Sequence, residues 1–366
     1  WQAHDLTSRQ SYLWTNDELG EFEDELNDRP RPASAYGGGY FSKDEDEVYL
    51  YDRFDIWRLK TKQNLTGKKV TSGRSKKVVH RLVDIDGNED YVLKQRQLLY
   101  LFSEQTKASG YGYLSLDSDL VTEVRMMPMK VGRSPKVSHN AEVMVFTKED
   151  YRTAPDLHLS PTSNWNSSTQ VTQLNDQGEE FIWGKIELLR WEDHEGLLVV
   201  PEDFDPRKKY PLMVNFYEKS SHNLHRHRRP YLHRSTMNYP HYIGRGYIVF
   251  NPDIKYQIGD PGKSALEIVE SGVKHLIEKG FVDEDKIALQ GHSWGGYQIA
   301  HIVTQSDLFA CAESGAPVVN MTSAYGGIRW GSGMSRMFQY EQTQSRLGKT
   351  LWEDQEVYLR NSPLFN

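Results

Sequence analysis

The sequence of 366 residues contains a single cysteine, Cys311, and no run of about 18 consecutive apolar residues. One cysteine excludes a disulfide within the chain, and the lack of a long apolar run argues against a membrane-spanning helix. With 44 basic and 51 acidic side chains the formal net charge is −7. The composition therefore indicates no general attraction to nucleic acid or to anionic membranes.

The length of the chain exceeds what one hydrophobic core usually organises, so two domains are predicted. The first, over residues 1–180, has no convincing helix. Its short aromatic and β-branched runs recur roughly every 45 to 50 residues, which is typical of a four-stranded propeller blade; the runs are residues 48–51, 98–102 and 143–146, with fainter strands at 54–57 and 111–114. Residues 86–88 and Ser109-Gly110 have hairpin-turn chemistry. The pattern predicts an all-β propeller portion of three or four blades, with a β-sandwich as the alternative.

The second predicted domain spans residues 181–366. A hairpin is predicted over residues 187–200, with its turn from Glu192 to Gly196. Near-continuous apolar runs at 211–217 and 246–250 are typical of strands covered on both faces of a parallel sheet. A helix is predicted from about Ser264 to Lys279, ending at Gly280, and another strand over 286–290. This order of elements predicts an α/β-hydrolase fold.

A Gly-x-Ser-x-Gly motif occupies residues 291–295, between that strand and a helical pattern that starts near Tyr297. A serine on a tight strand-to-helix turn is held in a strained conformation with its hydroxyl exposed. Side chains at Gly291 and Gly295 would collide across such a turn. The motif in this setting predicts that Ser293 is a nucleophile, with the positive end of the helix aimed at the reaction centre.

Two polar segments lie outside this motif. Histidines and arginines cluster between residues 222 and 234, but they lack the spacing and acidic partners of a zinc-hydrolase motif, so a polar loop is favoured over a metal or anion site. Residues 29–34, with two prolines, predict an exposed loop without a functional role.

The order PLMVNFY, GYIVFNPD, VDEDKIALQGHSWGGYQ and GAPVVN resembles the prolyl oligopeptidase family of serine peptidases, and VYLYDRFDIW and LLYLFSEQTKASGYGYL are similar to propeller strands of bacterial members. The resemblance implies an N-terminal β-propeller over a C-terminal α/β-hydrolase domain. It implies oligopeptide substrates and slightly favours a periplasmic or secreted location. No cofactor is expected, since acyl transfer through a serine needs neither metal nor nucleotide. Cleavage after proline is a family-level expectation.

By the same resemblance, Ser293 is the acylating nucleophile, and the oxyanion donors are the backbone N–H of Trp294 and the hydroxyl of Tyr217. The family usually continues Gly-Gly or Ala-Gly-Pro after this tyrosine, whereas Glu218-Lys219-Ser220 follow here. A packed strand-end tyrosine is the alternative role for Tyr217. The resemblance also implies an apolar specificity pocket, for which the candidates are Val319, Tyr325 and Trp330. Packing in the core is the alternative role for these residues.

A serine nucleophile of this kind requires an acid and a histidine base, in chain order Ser, Asp, His. After Ser293 the one histidine is His301, and a helical rise of roughly 12 Å carries it away from the hydroxyl. Asp307 and Asp354 therefore have no useful histidine after them. Family members place both partners beyond the segment that ends here at Asn366. The chain is thus expected to be a fragment, truncated in both domains, with little peptidase activity by itself.

Three functions remain open on the sequence alone. The first is a serine peptidase acting on short peptides, as an exopeptidase or an endopeptidase. The second is an esterase of small acyl esters that uses the same serine. The third is a catalytically inactive protein whose propeller binds a partner. An Asp and a His in the natural sequence after Asn366 would discriminate an enzyme from an inactive scaffold.

Overall fold

The computed structural model describes residues 1–84, 91–92, 96–140, 142–233 and 235–366. The chain divides into two compact units. Unit 1 comprises Trp1–Asn27, Ala33–Asp176 and His225–His227. Unit 2 comprises Asp28–Pro32, Gln177–Leu224 and Arg228–Asn366. The short segment Asp28–Pro32 thus belongs to the unit that carries the Gly-x-Ser-x-Gly motif.

Within the described residues, unit 1 is built from β-strands arranged in four sheets. A small sheet pairs β1 (Gln2–His4) with β2 (Ser11–Leu13). The next contains β3 (Gly38–Ser42), β4 (Glu47–Tyr51), β5 (Ile56–Lys60), β6 (Lys68–Lys69) and β8 (Tyr91–Val92). The third contains β7 (Val78–Leu82), β9 (Arg96–Ser103), β10 (Ser109–Ser115) and β11 (Leu120–Met127). The fourth contains β12 (Lys130–Val131), β13 (Lys136–Val137), β14 (Val143–Glu149), β15 (Asp156–Pro161) and β16 (Thr169–Gln170).

Apolar clusters join successive sheets of unit 1. One cluster combines Tyr51 and Ile56 of the second sheet with Leu99 and Leu101 of the third. A second cluster combines side chains of the third and fourth sheets, among them Leu98, Tyr111, Met144 and Phe146. The third sheet contributes to both clusters, so it packs between the second and fourth sheets and does not cover a single core. The five strand segments predicted in this half all overlap observed strands.

One turn prediction in this half is wrong. Ser109 and Gly110 lie inside β10 and not in a turn. A Cβ at Gly110 would come within 2.0 Å of the backbone oxygen of Arg125 on β11. Glycine is therefore needed there for the close approach of two strands. The other predicted turn, residues 86–88, lies outside the described residues.

Unit 2 contains a six-stranded sheet in the order β17-β18-β20-β19-β21-β22. Its strands are β17 (Lys185–Trp191), β18 (His194–Val200), β19 (Tyr210–Asn215), β20 (Ile248–Pro252), β21 (Val282–His292) and β22 (Cys311–Gly315). The last four in spatial order, from β20 to β22, run parallel, while β17 and β18 form an antiparallel hairpin at one end. A separate short hairpin pairs β23 (Ile328–Arg329) with β24 (Met334–Ser335). The predicted parallel strands and their buried character are confirmed.

The hairpin of β17 and β18 is also confirmed, but its turn is shorter than predicted. Trp191 pairs with His194, so two residues form the turn, and Glu192 adopts a positive φ of 47°. Gly196 lies inside β18, where a Cβ would come within 2.7 Å of the Asn251 backbone oxygen on β20. As at Gly110, glycine is needed here because a neighbouring strand approaches too closely for a side chain.

The described α-helices of unit 2 are α1 (Tyr239–Ile243), α2 (Pro261–Glu278), α3 (Trp294–Ile302), α4 (Met321–Tyr325), α5 (Met337–Glu341) and α6 (Gln355–Arg360). Helix α2 confirms the predicted helix but begins earlier, since Pro261 suits a first helical turn. Its residues Val269, Val273 and Leu276 are fully buried in the core of the unit. Gly280 follows the helix with a φ of +90°. None of the described helices is long and apolar enough to cross a bilayer.

Candidate active site

Ser293 lies at the junction between β21, which ends at His292, and α3, which begins at Trp294. Its backbone has φ 59° and ψ −112°, a conformation that residues with a Cβ rarely adopt. Its amide donates to the carbonyl of Gly315 at 2.7 Å, and its carbonyl accepts from the amide of Tyr297 at 2.9 Å. The side chain is exposed. The sharp turn is thus fixed from both sides, and it presents the hydroxyl to solvent.

Three glycines allow the surrounding backbone to approach this turn. A Cβ at Gly291 would lie 2.9 Å from the backbone carbon of Gly295, as the motif predicted. A Cβ at Gly295 would lie 2.6 Å from the oxygen of Phe216, and one at Gly296 the same distance from the oxygen of Gly315. The ends of β19 and β22 therefore pack directly against the first turn of α3.

Trp294 begins α3, and its side chain is 3% exposed. The indole Nε1 donates to the hydroxyl of Tyr256 at 3.0 Å, and the ring stacks on Tyr297 with centroids 4.6 Å apart. The first N–H groups of a helix have no acceptor within it. The backbone N–H of Trp294, next to the Ser293 hydroxyl, is therefore available to a ligand of this turn.

Tyr217 lies two residues beyond the end of β19, beside the first turn of α3. Its carbonyl accepts from Gln298 Nε2 at 2.8 Å and from the hydroxyl of Tyr256 at 3.1 Å. A Cβ at Gly295 would be 3.7 Å from Cδ2 of its ring. The residue is 46% exposed, and its hydroxyl accepts from Gln344 Nε2 at 2.8 Å. The structure thus brings Ser293, Trp294 and Tyr217 to one place, with the tyrosine ring partly open to solvent.

The segment after Tyr217 is held by carboxylates. Asp253, just after β20, accepts from the amides of Ser220 and Ser221 at 2.5 and 2.8 Å. Glu218 forms an ion pair with Arg346 at 3.3 Å. These contacts connect the segment to the neighbouring strand and to the core, so its geometry does not depend on glycine.

Arg346 is the central residue of this arrangement. It is 2% exposed, and its Nη2 lies 2.9 Å from Oδ1 of Asp28. Burial lowers the pKa of its guanidinium, but Glu218 and Asp28 more than offset that effect, and the pKa is raised overall. Asp28 is half-buried, although the sequence predicted a functionless exposed loop directly after it. Burial also raises the pKa of Tyr256 well above its usual range, so its hydroxyl stays protonated.

The three residues assigned to a specificity pocket occupy different environments. Val319 is 38% exposed. Tyr325 is 4% exposed in the core of unit 2, where its ring contacts Tyr358 and its hydroxyl donates to Glu341. Trp330 is 98% exposed in the turn between β23 and β24. A pocket formed by these three side chains remains a prediction.

The structure directs His301 away from Ser293. The ring is 6% exposed and packs beside Gly262 of α2, where a Cβ would come within 2.7 Å of it. Burial lowers the pKa of the ring. Asp354 is the N-cap of α6, accepting from the amide of Val357 at 3.2 Å. Among the described residues, no side chain hydrogen-bonds to the Ser293 hydroxyl.

The histidines between residues 222 and 233 have separate partners. His225 Nε2 lies 3.1 Å from the carbonyl of Thr106, and His233 Nδ1 lies 2.9 Å from the hydroxyl of Ser235. In the part of the chain that is described, one group of side chains has the spacing of metal ligands, and it is the surface turn of residues 192–194. Exposed acidic turns commonly have such spacing without an ion.

Sequence reasoning missed Gln298, Tyr256, Gln344 and Arg346 as residues of the site. Gln298 lies on the helix that follows the motif, five residues after Ser293, and this closeness in sequence was a weak indication that it belongs to the site. The other three come from distant parts of the chain, and no local pattern distinguishes them.

Comparison with known proteins gives consistent matches. The prolyl oligopeptidase family model matches residues 257–365. Human dipeptidyl peptidase 8 is 30% identical over an alignment of 144 residues that covers 34% of this chain and 15% of that protein. Human prolyl endopeptidase FAP is 30% identical over an alignment of 139 residues that covers 33% of this chain and 17% of that protein. The chain therefore matches only about one sixth of the length of these relatives.

Solved structures resemble the chain over both units. Porphyromonas gingivalis dipeptidyl peptidase 4 has a TM-score of 0.62 at 14% identity, covering 89% of this chain and 45% of that structure. A puromycin-hydrolyzing peptidase from Mycobacterium tuberculosis has a TM-score of 0.64 at 13% identity, covering 90% and 50%. At such identities the likeness concerns the fold. The family match includes the serine turn and covers residues 257–365, so this segment of the chain is similar to the prolyl oligopeptidase family.

Proposed function

We propose that this chain supplies the nucleophile of a serine peptidase that hydrolyses short peptides through an acyl-enzyme on Ser293. One observation carries the proposal. Ser293 is an exposed serine in a strained conformation, φ 59° and ψ −112°, between a central parallel strand and a buried helix. Such a turn presents a hydroxyl next to free helix N–H groups, as acyl transfer requires.

In the proposed mechanism, Oγ of Ser293 attacks the carbonyl carbon of the scissile peptide bond and loses its proton to a general base. Negative charge develops on the carbonyl oxygen, where the N–H of Trp294 and the O–H of Tyr217 donate hydrogen bonds to it. The tetrahedral intermediate then expels the amine, which takes up the proton. Water attacks the acyl-enzyme in the same way, releasing the carboxylic acid product and restoring the Ser293 hydroxyl.

The base is a further part of the proposal. His301 faces α2, and among the described residues no histidine hydrogen-bonds to the Ser293 hydroxyl. We assign the roles of base and orienting acid to a histidine and an aspartate outside these 366 residues, as the family resemblance implies. The 366 residues alone are then expected to turn over peptides poorly.

We also propose that the second, third and fourth sheets of unit 1 are consecutive blades of a β-propeller. Each is built mainly from antiparallel strands that follow one another in sequence, and apolar clusters join neighbouring sheets face to face. This packing favours the blades of a propeller rather than the two layers of a β-sandwich. We place the division between propeller and hydrolase domains near residue 180, close to the Asp176–Gln177 unit boundary.

The names of relatives favour peptide bonds as the substrate class. They include dipeptidyl peptidases, prolyl endopeptidases and a post-proline cleaving enzyme from Rickettsia typhi. Peptide hydrolysis is common to these names, whereas the cleavage mode differs between them. We therefore propose peptide hydrolysis, with cleavage after proline as the preference to test first.

A fluorophosphonate probe tests the nucleophile. The complete natural protein that contains these residues should be labelled, and Ser293→Ala should abolish labelling. The control is Ser75→Ala, which removes an exposed serine of unit 1 and should label as the parent does. Labelling that survives Ser293→Ala would overturn the proposal.

Turnover then separates the three functions. Release of a chromogenic amine from a Xaa-Pro anilide indicates a peptidase. Hydrolysis of a small acyl ester without any anilide turnover indicates an esterase. A protein that is folded but neither labelled nor active is a binding protein, and that result contradicts the mechanism above.

A further inference from the structure

We propose that Arg329, Gln339 and Gln344 form a hydrogen-bond relay that sets the direction of the Tyr217 hydroxyl hydrogen. The inference rests on the proposed role of Tyr217 as an oxyanion donor. It assigns a positioning role to three side chains that lie far after the tyrosine in sequence, Gln344 by 127 residues. All four residues belong to unit 2.

The relay consists of three hydrogen bonds of ordinary length. Arg329 Nη2 donates to Gln339 Oε1 at 2.9 Å. Gln339 Nε2 donates to Gln344 Oε1 at 2.9 Å. Gln344 Nε2 donates to the hydroxyl oxygen of Tyr217 at 2.8 Å. Each amide thus accepts from the residue before it and donates to the next.

The first residue fixes the direction of the whole relay. A guanidinium has five N–H donors and no acceptor, so the atom of Gln339 that faces Arg329 must be its oxygen. The NH₂ of Gln339 then faces Gln344, which must offer its own oxygen in return. The NH₂ of Gln344 is left to face Tyr217. The amide orientations therefore follow from hydrogen-bonding logic, although oxygen and nitrogen are otherwise difficult to distinguish.

The relay determines where the hydroxyl hydrogen of Tyr217 points. Because its oxygen accepts a hydrogen bond from Gln344, its own hydrogen is directed elsewhere and remains free to donate. Hydrogen bonds arranged head to tail polarise one another, by roughly 10–30% per bond. The relay therefore makes the phenol a better donor toward a developing oxyanion and fixes its orientation before substrate arrives.

The backbone around the relay is held in place. Gln339 lies on α5 and is 7% exposed, and its carbonyl accepts from the amide of Ser345 at 3.0 Å. Arg346 Nη1 donates to the carbonyl of Gln344 at 2.7 Å. The same guanidinium binds Glu218, the residue after Tyr217. One buried cation therefore anchors both partners of the last hydrogen bond.

The test is a double-mutant cycle in the complete natural protein, with the peptide anilide that it turns over. Gln344→Ala should lower kcat about tenfold with KM within about twofold, because it misdirects one oxyanion donor without removing it. Tyr217→Phe should lower kcat about 100-fold. The double variant should match Tyr217→Phe alone. Gln342→Ala, which changes an exposed glutamine two residues away, is the control and should keep the parent kcat.

Gln344→Glu adds a signature that a merely structural role would not produce. The carboxylate has the shape of the amide but accepts where the amide donates, so it draws the Tyr217 hydrogen toward itself. We expect kcat below that of Gln344→Ala at pH 8. Relative to Gln344→Ala, kcat should recover as the pH falls and the carboxyl group is protonated.

Several results would overturn the relay. If Gln344→Ala lowers kcat by the same factor in the parent and in the Tyr217→Phe variant, Gln344 gives general structural support only. An unchanged kcat in Tyr217→Phe, with Ser293 still labelled, would remove the role of the tyrosine and leave the nucleophile intact. A neutron crystal structure gives a measurement independent of turnover. The Tyr217 deuteron should point away from Gln344, and a deuteron between the two oxygens of Tyr217 and Gln344 would contradict the inference.

Discussion

The guanidinium carbon of Arg346 lies 4.0 Å from the centroid of the Tyr256 ring. The ring covers one face of the cation, and the carboxylates of Asp28 and Glu218 lie at its edge. A charge removed from water needs such compensation. The hydroxyl of the same ring binds Trp294 Nε1 and the carbonyl of Tyr217. A single stacked pair therefore connects the ion cluster to both proposed oxyanion donors.

Replacement of Arg346 by Met should lower the free energy of unfolding by about 3 kcal/mol, because it removes the buried counterion of Asp28 and leaves Glu218 with the more distant Arg29 at 3.7 Å. Urea unfolding at pH 7 measures the change. The control is Arg207→Met, since Arg207 pairs with Asp205 but its side chain is 88% exposed. That variant should lose much less stability, because water screens an exposed ion pair. Similar losses in the two variants would contradict a special role for the buried pair.

Gly295→Ala should both destabilise the protein and slow labelling of Ser293. The added Cβ would lie 2.6 Å from the carbonyl oxygen of Phe216, a backbone atom with little freedom to move. We expect a loss of about 1–3 kcal/mol as the end of β19 separates from α3. Gly326→Ala is the control, because no atom lies within 4 Å of its added Cβ. A labelling rate equal to that of the parent would show that this close approach is not needed.

His301→Gln should reduce the acid sensitivity of folding. Burial lowers the pKa of His301 below its ordinary value of 6.5, so the unfolded chain binds a proton more readily than the folded one. Stability should therefore fall as the pH drops below about 6.5, by up to about 1.4 kcal/mol per pH unit until the folded-state pKa is reached. Above pH 7 this contribution is constant.

The measurement is chemical denaturation at pH 7, 6 and 5. His80 is also buried with a lowered pKa, but it is present in both proteins, so the difference between their slopes isolates His301. Equal slopes would argue against a buried neutral ring. Probe labelling at Ser293 should persist in the variant, because the ring packs against Gly262 and not against the serine.

The nucleophile turn could be predicted because its determinants are adjacent in sequence. A strand, the glycines 291 and 295 and a helix follow one another around Ser293, so a local pattern carries the information. The parallel strands β19, β20 and β21 were predictable for a similar reason, since strands buried on both faces are apolar throughout. Strand β22 was missed, because residues 311–315 are largely exposed and have no apolar run.

Errors arose where a distant segment decides the role of a residue. Gly110 and Gly196 have the composition of turns, yet each allows a neighbouring strand to approach. Gln344 and Arg346 act on Tyr217 and the residue after it across more than 120 residues of chain. An amide on a polar segment has no periodicity to distinguish it, so such partners are found only once the fold brings them together.

The backbone of Ser293 has a further consequence for heat resistance. Its φ and ψ are accessible to glycine but strained for a residue with a Cβ. Ser293→Gly should therefore exceed Ser293→Ala in unfolding free energy by about 1 kcal/mol, measured by thermal unfolding, and an equal or lower value would argue against strain at this position. The proposed chemistry needs a serine at position 293, but the backbone conformation there is strained for any residue with a Cβ. Selection for thermostability and selection for turnover therefore oppose each other at this position.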